Sequence, residues 1–242
     1  MERRSIRSLL EHRSIHVNAG TMTRRNLSTG AHGALSRERI VEAAIGILDG
    51  AGVNGLTFRE LASRLETGSG AIYWHVADKQ ALLAAATDRV LAGAIAAVAK
   101  EAEPQDTIRA LALGVYDAMA AHRWIGAQLS GNPWQLASLR ILEHLGREVQ
   151  ALGIPEHALF NVVTALMNCI LGVAAQHAAA SLLPRDSKRI DHLTAIAADW
   201  AQLDPVDYAF VRTLAAQLPL HDDRVQFLAG VDLVLVGVAH LR

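Results

Sequence analysis

From Ser36 onward, hydrophobic positions recur with helical spacing along almost the whole chain. Ile40, Ala44, Ile47, Leu48 and Ala51 fall on one face at a period near 3.6, with Ser36 as N-cap and Gly50 and Gly52 as the stop. Thr57-Phe58-Arg59-Glu60 has capping-box spacing, in which Thr57 and Glu60 satisfy each other's free amides at a helix start. That helix carries Leu61, Ala62 and Leu65 inward and is short. A turn, Thr67-Gly68-Ser69-Gly70, leads to a second short segment, Ala71 to His75. Asp78 then caps a longer helix through Leu82, Ala85, Val90 and Ala94, broken at Glu103-Pro104.

The second half predicts further helices. Ile108, Leu111, Ala112, Val115 and Met119 form one stripe, and Pro133 to Leu152 spans the next, ended by Gly153. Pro155 suits the first turn of a long helix reaching about Leu183. Arg189 to Leu203, Val206 to Leu218 and Asp222 to Leu241 complete the set. Neither strand alternation nor an internal repeat is present. The expected fold is all-α.

Composition narrows the class. Hydrophobic residues make up 51% of 242 and aromatics only 5%, which favours packed helices over a sandwich. The lone Cys169 excludes a disulfide framework or a cysteine-rich zinc site and suits a reducing, cytoplasmic setting. No unbroken apolar run reaches the ~18–20 residues of a membrane span, and no apolar centre of a signal peptide precedes Ala34, so no membrane partner is expected. His12 and His16 have metal-ligand spacing without a third ligand nearby, and no cofactor is expected.

Net charge is −1, but it is unevenly spread: residues 1–35 hold six Arg against two Glu. This basic arm, residues 1–33, suits phosphate contacts, and a solvated tail accounts for it equally well.

The stretch Thr57 to Lys79 is the informative one. A capped helix, a glycine-containing turn and a second short helix have the geometry of a helix-turn-helix. Such a short helix enters a major groove only if braced from behind, and Leu61, Leu65, Ile72 and Val76 are placed to do so. Two adjacent residues on a short helix, Tyr73 and Trp74, cannot both face inward. Here the sequence resembles the tetracycline-repressor (TetR) family. Leu56-Thr57-Phe58-Arg59-Glu60-Leu61-Ala62 looks like its second helix. Ala71-Ile72-Tyr73-Trp74-His75-Val76-Ala77-Asp78-Lys79 looks like its recognition helix and the start of its fourth.

The resemblance implies a three-helix helix-turn-helix domain over residues 34–94, with a helical effector-binding and dimerisation domain over 95–242. It implies that double-stranded operator DNA is contacted by Thr57, Arg59, Ser69, Gly70, Ala71, Tyr73, Trp74, His75 and Lys79. Tyr73 and Lys79 match phosphate contacts, and Arg59 matches a residue that reaches a guanine edge. Taken singly, Arg59 suits an intrahelical pair with Glu60 or Glu66, and Lys79 an ordinary surface position. Glu66 departs from the family, which often has a turn glycine there.

Leu159 to Ala175 and Phe227 to Val238 are apolar nearly all round, so each requires burial on more than one side. A four-helix homodimer interface, which the family also uses, supplies that cover. On segments that the family uses to wall an effector cavity lie Tyr116, Met119, His122, Trp124 and Trp134. Asn161, Thr164 and Asn168 add a polar line at i, i+3 and i+7 that needs water, another helix or a ligand. Sparse polar groups in an apolar cavity suit an apolar or aromatic small-molecule effector. No phosphate-binding loop, dinucleotide fingerprint, zinc-protease motif or nucleophile elbow occurs, so an enzyme is not expected. The expected function is a ligand-responsive transcriptional regulator, most simply a repressor. The alternative is a helical small-molecule-binding or catalytic protein without operator binding.

Overall fold

A computed structural model describes residues 35–98, 103–132, 134–180 and 187–241. The basic arm, the His12/His16 pair, the helix start at Pro133 and the helix end at Leu183 lie outside the described residues. Among the described residues the chain is helical throughout and no strand forms.

Helix α1 (Arg37–Gly55) begins where the Ser36 hydroxyl accepts the Arg39 N–H. Ile40, Ala44, Ile47 and Leu48 are buried as their spacing predicts, whereas Ala51, at the edge of the stripe, is solvent-facing. Gly52 takes φ 66° and ψ −173°, breaking the helix one turn early before a further turn to Gly55. Helices α2 (Phe58–Arg64) and α3 (Ser69–Tyr73) follow, and α4 (Lys79–Ala96) starts on the Asp78 carboxylate, which accepts from Ala81 N–H at 2.7 Å. α4 packs against α1 on one side and against α5 and α7 on the other, so its buried face is wider than a single stripe. It includes Leu83, Ala86, Thr87, Leu91 and Ile95 besides Leu82, while Ala85, Val90 and Ala94 are only half-buried. The domain division expected near residue 94 falls within its last turn.

Helix α5 (Pro104–Ala121) buries the whole predicted stripe. Helix α6 (Trp124–Gly131), α7 (Leu136–Ala151) and α8 (Glu156–Ala180) come next, with Gly153 at φ 78° turning the chain between α7 and α8. The chain closes with α9 (Ser187–Gln202), α10 (Ala209–Leu214) and α11 (Asp223–Ala239). The helix expected over Val206 to Leu218 is therefore shorter. Asp204 ties up Val206 N–H and Asp207 N–H in a turn, and a separate 3-10 turn spans Leu218–Leu220.

One stretch corrects the sequence expectation about apolar length. Glu156–Ala179 is long and apolar enough to cross a membrane, because scattered Asn, Thr and His residues interrupt the run without making the helix polar. Its inward side chains, Val162, Val163, Leu166, Ile170 and Ala174, are buried against neighbouring helices. One apolar core runs from Ile40 in α1 to Val238 in α11.

Candidate nucleic-acid interface

The α2–α3 pair is held from behind by a small apolar cluster. Leu61 and Ile72 are fully buried, Val76 nearly so, and Leu65 packs at the edge. Burial of each such side chain stabilises by about 1.5–3 kcal/mol, which fixes a five-residue helix that would not form alone. At the entry to α2 the Thr57 hydroxyl accepts Glu60 N–H at 3.1 Å. Among the described residues, only that half of the reciprocal capping pair is made.

What the brace presents outward is the informative set. Trp74 is 91% exposed, and Tyr73 is exposed on the adjoining position. The Tyr73 ring stacks on Phe58, with centroids 4.3 Å apart and planes within 7°, so α2 fixes the orientation of a side chain on α3. Arg59, Ser69, Gly70 and His75 are exposed, and Ala71 is half-buried. Arg59 has no ion pair among the described residues, so pairing with Glu60 or Glu66 is not its role here. Arg64 instead lies on α1, its guanidinium against Gly46.

Two residues differ from what the sequence suggested. Lys79 is half-buried rather than a free surface cation, because its Nζ donates to the Val53 carbonyl at 2.7 Å. Two further ammonium protons are left for other acceptors. Glu66 has φ 51°, making it the only non-glycine in the left-handed region among the described residues. The turn conformation that glycine favours is kept, and a glutamate adopts it.

The residues expected to wall an effector cavity divide into two sets. Tyr116, Met119 and Trp124 are buried in the core. The Tyr116 ring lies against both His177 and Phe227, with centroids 4.8 and 4.5 Å away. Its hydroxyl has no hydrogen-bond partner among the described residues, and burial, with Asp223 next, pushes its pKa up to about 12. His122 is half-buried and bonded to Asp49. Trp134, 80% exposed, does not join them. Nor does the polar line, because Asn161 and Asn168 face outward from α8 and the Thr164 hydroxyl donates to its own helix at Phe160 C=O. Spacing placed these three on one face but carried no information about which face the core would take.

A separate cleft of about 640 Å3 opens between the end of α4, the start of α5 and α7. Ile95, Leu111, His144 and Arg147 are among its walls, and none of the eight expected effector residues lines it. Sequence reading missed it because its walls come from three helices whose packing order no local pattern encodes. No cluster of three His, Cys, Asp or Glu side chains suited to a metal ion occurs among the described residues.

Comparison with known proteins adds to this geometry. Residues 40–86 match the family model of bacterial regulatory proteins, tetR family. The structure is similar to that of the transcriptional regulator SCO7222, a TetR from Streptomyces coelicolor, at 50% identity and a TM-score of 0.78. That likeness covers 86% of this chain and 99% of the other. The chain is also 43% identical over 58 residues to the class D tetracycline repressor from Escherichia coli. That match covers 24% of this chain and spans only 27% of the repressor's length. ActR from Streptomyces coelicolor, solved in complex with actinorhodin, shares the fold at 21% identity and a TM-score of 0.70, over 86% of this chain and 98% of ActR.

Proposed function

The chain belongs to the TetR family of transcriptional regulators, and from that premise we propose that it is a ligand-responsive repressor of a near-palindromic operator. The observation that carries the reading is the outward set of Arg59, Tyr73 and Trp74 on a two-helix unit braced by Leu61, Ile72 and Val76. A free guanidinium suits a guanine edge, and the aromatic pair suits the sugar-phosphate rim. Residues 34–94 read DNA and the basic arm adds phosphate contacts. Residues 95–242 bind the effector and dimerise.

One short recognition helix reads too few bases for useful specificity, so two copies act together. The outer faces of α8 and α11 offer the interface: Phe160, Leu233 and Val236 are exposed apolar side chains on these two contacting helices. The effector is a small apolar or aromatic molecule, in keeping with the buried side chains of Tyr116, Met119 and Trp124 and with actinorhodin bound to the same fold in ActR. The protein acts by binding, without chemistry of its own.

Selection of duplexes from a randomised pool, followed by fluorescence anisotropy, tests this. Recovery of a palindrome bound by two copies supports the reading. Failure to prefer any duplex overturns it in favour of a small-molecule-binding protein of the same fold.

A further inference from the structure

Three successive residues at the start of α2 have three different duties. Thr57 caps the helix, its hydroxyl taken by Glu60 N–H. Arg59, two positions on, is exposed. Phe58, between them and about 100° around the helix from Arg59, is half-buried and packs at the edge of the apolar core. Its ring also faces the other helix of the pair, lying 4.3 Å from the Tyr73 ring and within 7° of parallel. Tyr73 ends a five-residue helix and is 54% exposed, so the Phe58 ring is a fixed surface against which an otherwise solvated side chain rests. A tyrosine has two side-chain torsions to lose on meeting a partner, and a ring that is already stacked has lost them beforehand. Phe58 thus joins a phenol on α3 to the helix turn that carries Arg59.

We propose that Phe58 determines operator specificity without touching DNA, by fixing the Tyr73 phenol relative to Arg59. Phosphate contacts set a protein's register on the duplex, and base contacts then specify sequence. With the phenol held on Phe58, the place where Tyr73 meets the backbone and the place where Arg59 meets a base edge are set by one rigid turn. Without the stack, Tyr73 still reaches a phosphate, but from several rotamers, and Arg59 is no longer held in register. Specific binding therefore depends on Phe58 more than non-specific binding does. Phe58 is a positioning residue that acts through Tyr73. This inference rests on the operator-binding reading above and adds a residue to its specificity.

Phe58→Leu keeps an apolar side chain at the core edge and removes the planar face. Affinity is measured by anisotropy on the selected duplex and on a random one, for wild type, Phe58→Leu, Tyr73→Ala and the double variant. Phe58→Leu is expected to weaken operator binding about fivefold and random-duplex binding less than about twofold. Beside Tyr73→Ala, the same change should cost less than about twofold on the operator, because the ring through which Phe58 acts is gone. Phe58→Tyr, which keeps a ring to stack on, should return operator affinity to within about twofold of wild type. Equal losses in the two backgrounds overturn the proposal, since Phe58 would then touch the duplex itself or serve only the fold. Equal losses on operator and random duplex overturn it too, as does a folded Phe58→Leu with unchanged affinity. If Phe58→Leu does not fold, wild-type protein with isotope-labelled Phe and Tyr rings supplies the second measurement. Cross-relaxation between the Phe58 and Tyr73 rings, assigned with Tyr73→Ala, is expected in the free protein and on the operator. Its loss on the operator overturns the proposal. If wild type prefers no duplex, the operator-binding reading falls first and takes this role with it. If wild type does select an operator, any of the overturning results removes the role of Phe58 alone.

Discussion

Lys79 reaches back from the first turn of α4 to donate its ammonium to the carbonyl oxygen of Val53, 2.7 Å away, just beyond the break in α1. The bond closes a backbone acceptor that the Gly52 break leaves without a helical partner, and it ties α4 to the base of the helix-turn-helix. Lys79 therefore has a structural duty besides any contact with phosphate.

Lys79→Ala should consequently lose on two counts. Removing a charge-assisted hydrogen bond at a half-buried site costs about 1–2 kcal/mol of stability, readable by urea denaturation. DNA binding should weaken alike on specific and random duplexes, with a shallower salt dependence. A variant with wild-type stability would show that the Val53 bond contributes nothing net.

Glu66→Gly should stabilise the protein by about 0.5–1 kcal/mol. At φ 51° a side chain meets the left-handed penalty of roughly 1–2 kcal/mol, partly offset by the greater unfolded-state entropy of glycine. The same change removes an exposed carboxylate from the turn that precedes the recognition helix, so non-specific DNA affinity should rise as well. Thermal melts and salt-dependent binding measure the two effects separately.

How far these features were legible varies with how local their causes are. The Ser36, Thr57 and Asp78 caps, the Ile72 and Val76 brace and the turn before α3 follow from residues within a few positions of one another, and the structure has them all. The second bond of Lys79, 26 residues back along the chain, has no local signature. α6 has no signature in the sequence, because eight residues carry too few turns for a periodic stripe. Spacing alone puts Asn161, Thr164 and Asn168 on one side of α8, but the outward direction of that line is set by where α5, α7 and α11 pack.

Arg59→Ala should relax base preference at one operator position by about 1–3 kcal/mol while leaving stability near wild type, since the side chain is exposed and unpaired among the described residues. Selection of duplexes with the variant reads this directly. Uniform weakening at every position would reassign Arg59 to the phosphate backbone.

Tyr116→Phe should be neutral or stabilising at pH 7, by up to about 1 kcal/mol. The substitution deletes a buried hydroxyl with no partner among the described residues and keeps the ring between His177 and Phe227. Its effect on pH dependence has a definite sign. Because the folded pKa is raised from 10.0 to about 12, Tyr116 stays protonated in the folded protein where the unfolded chain has lost its proton. The stability linked to its proton, relative to the ionised phenol, is complete below pH 10 and is lost as pH rises towards 12, so Tyr116→Phe should flatten that alkaline limb. An alkaline limb unchanged in the variant would place the titrating group elsewhere.

Leu233→Asp tests the dimer and separates affinity from fold. Leu233 is 75% exposed on α11, so within one copy the change touches no packed neighbour set and should cost little monomer stability. Across a twofold interface the same position is brought against its counterpart or close to it, and a carboxylate there must be desolvated in both copies at once. Sedimentation should show a shift from dimer to monomer with unchanged helix content by circular dichroism. Operator binding should then fall far more than any charge effect explains, because two linked reading units bind with an effective local concentration that separate units lack. A single half-site should be bound equally well by variant and wild type, since the surface formed by Arg59, Tyr73 and Trp74 is untouched. A variant that remains dimeric, or a monomer that still holds the full palindrome, would move the interface away from α11.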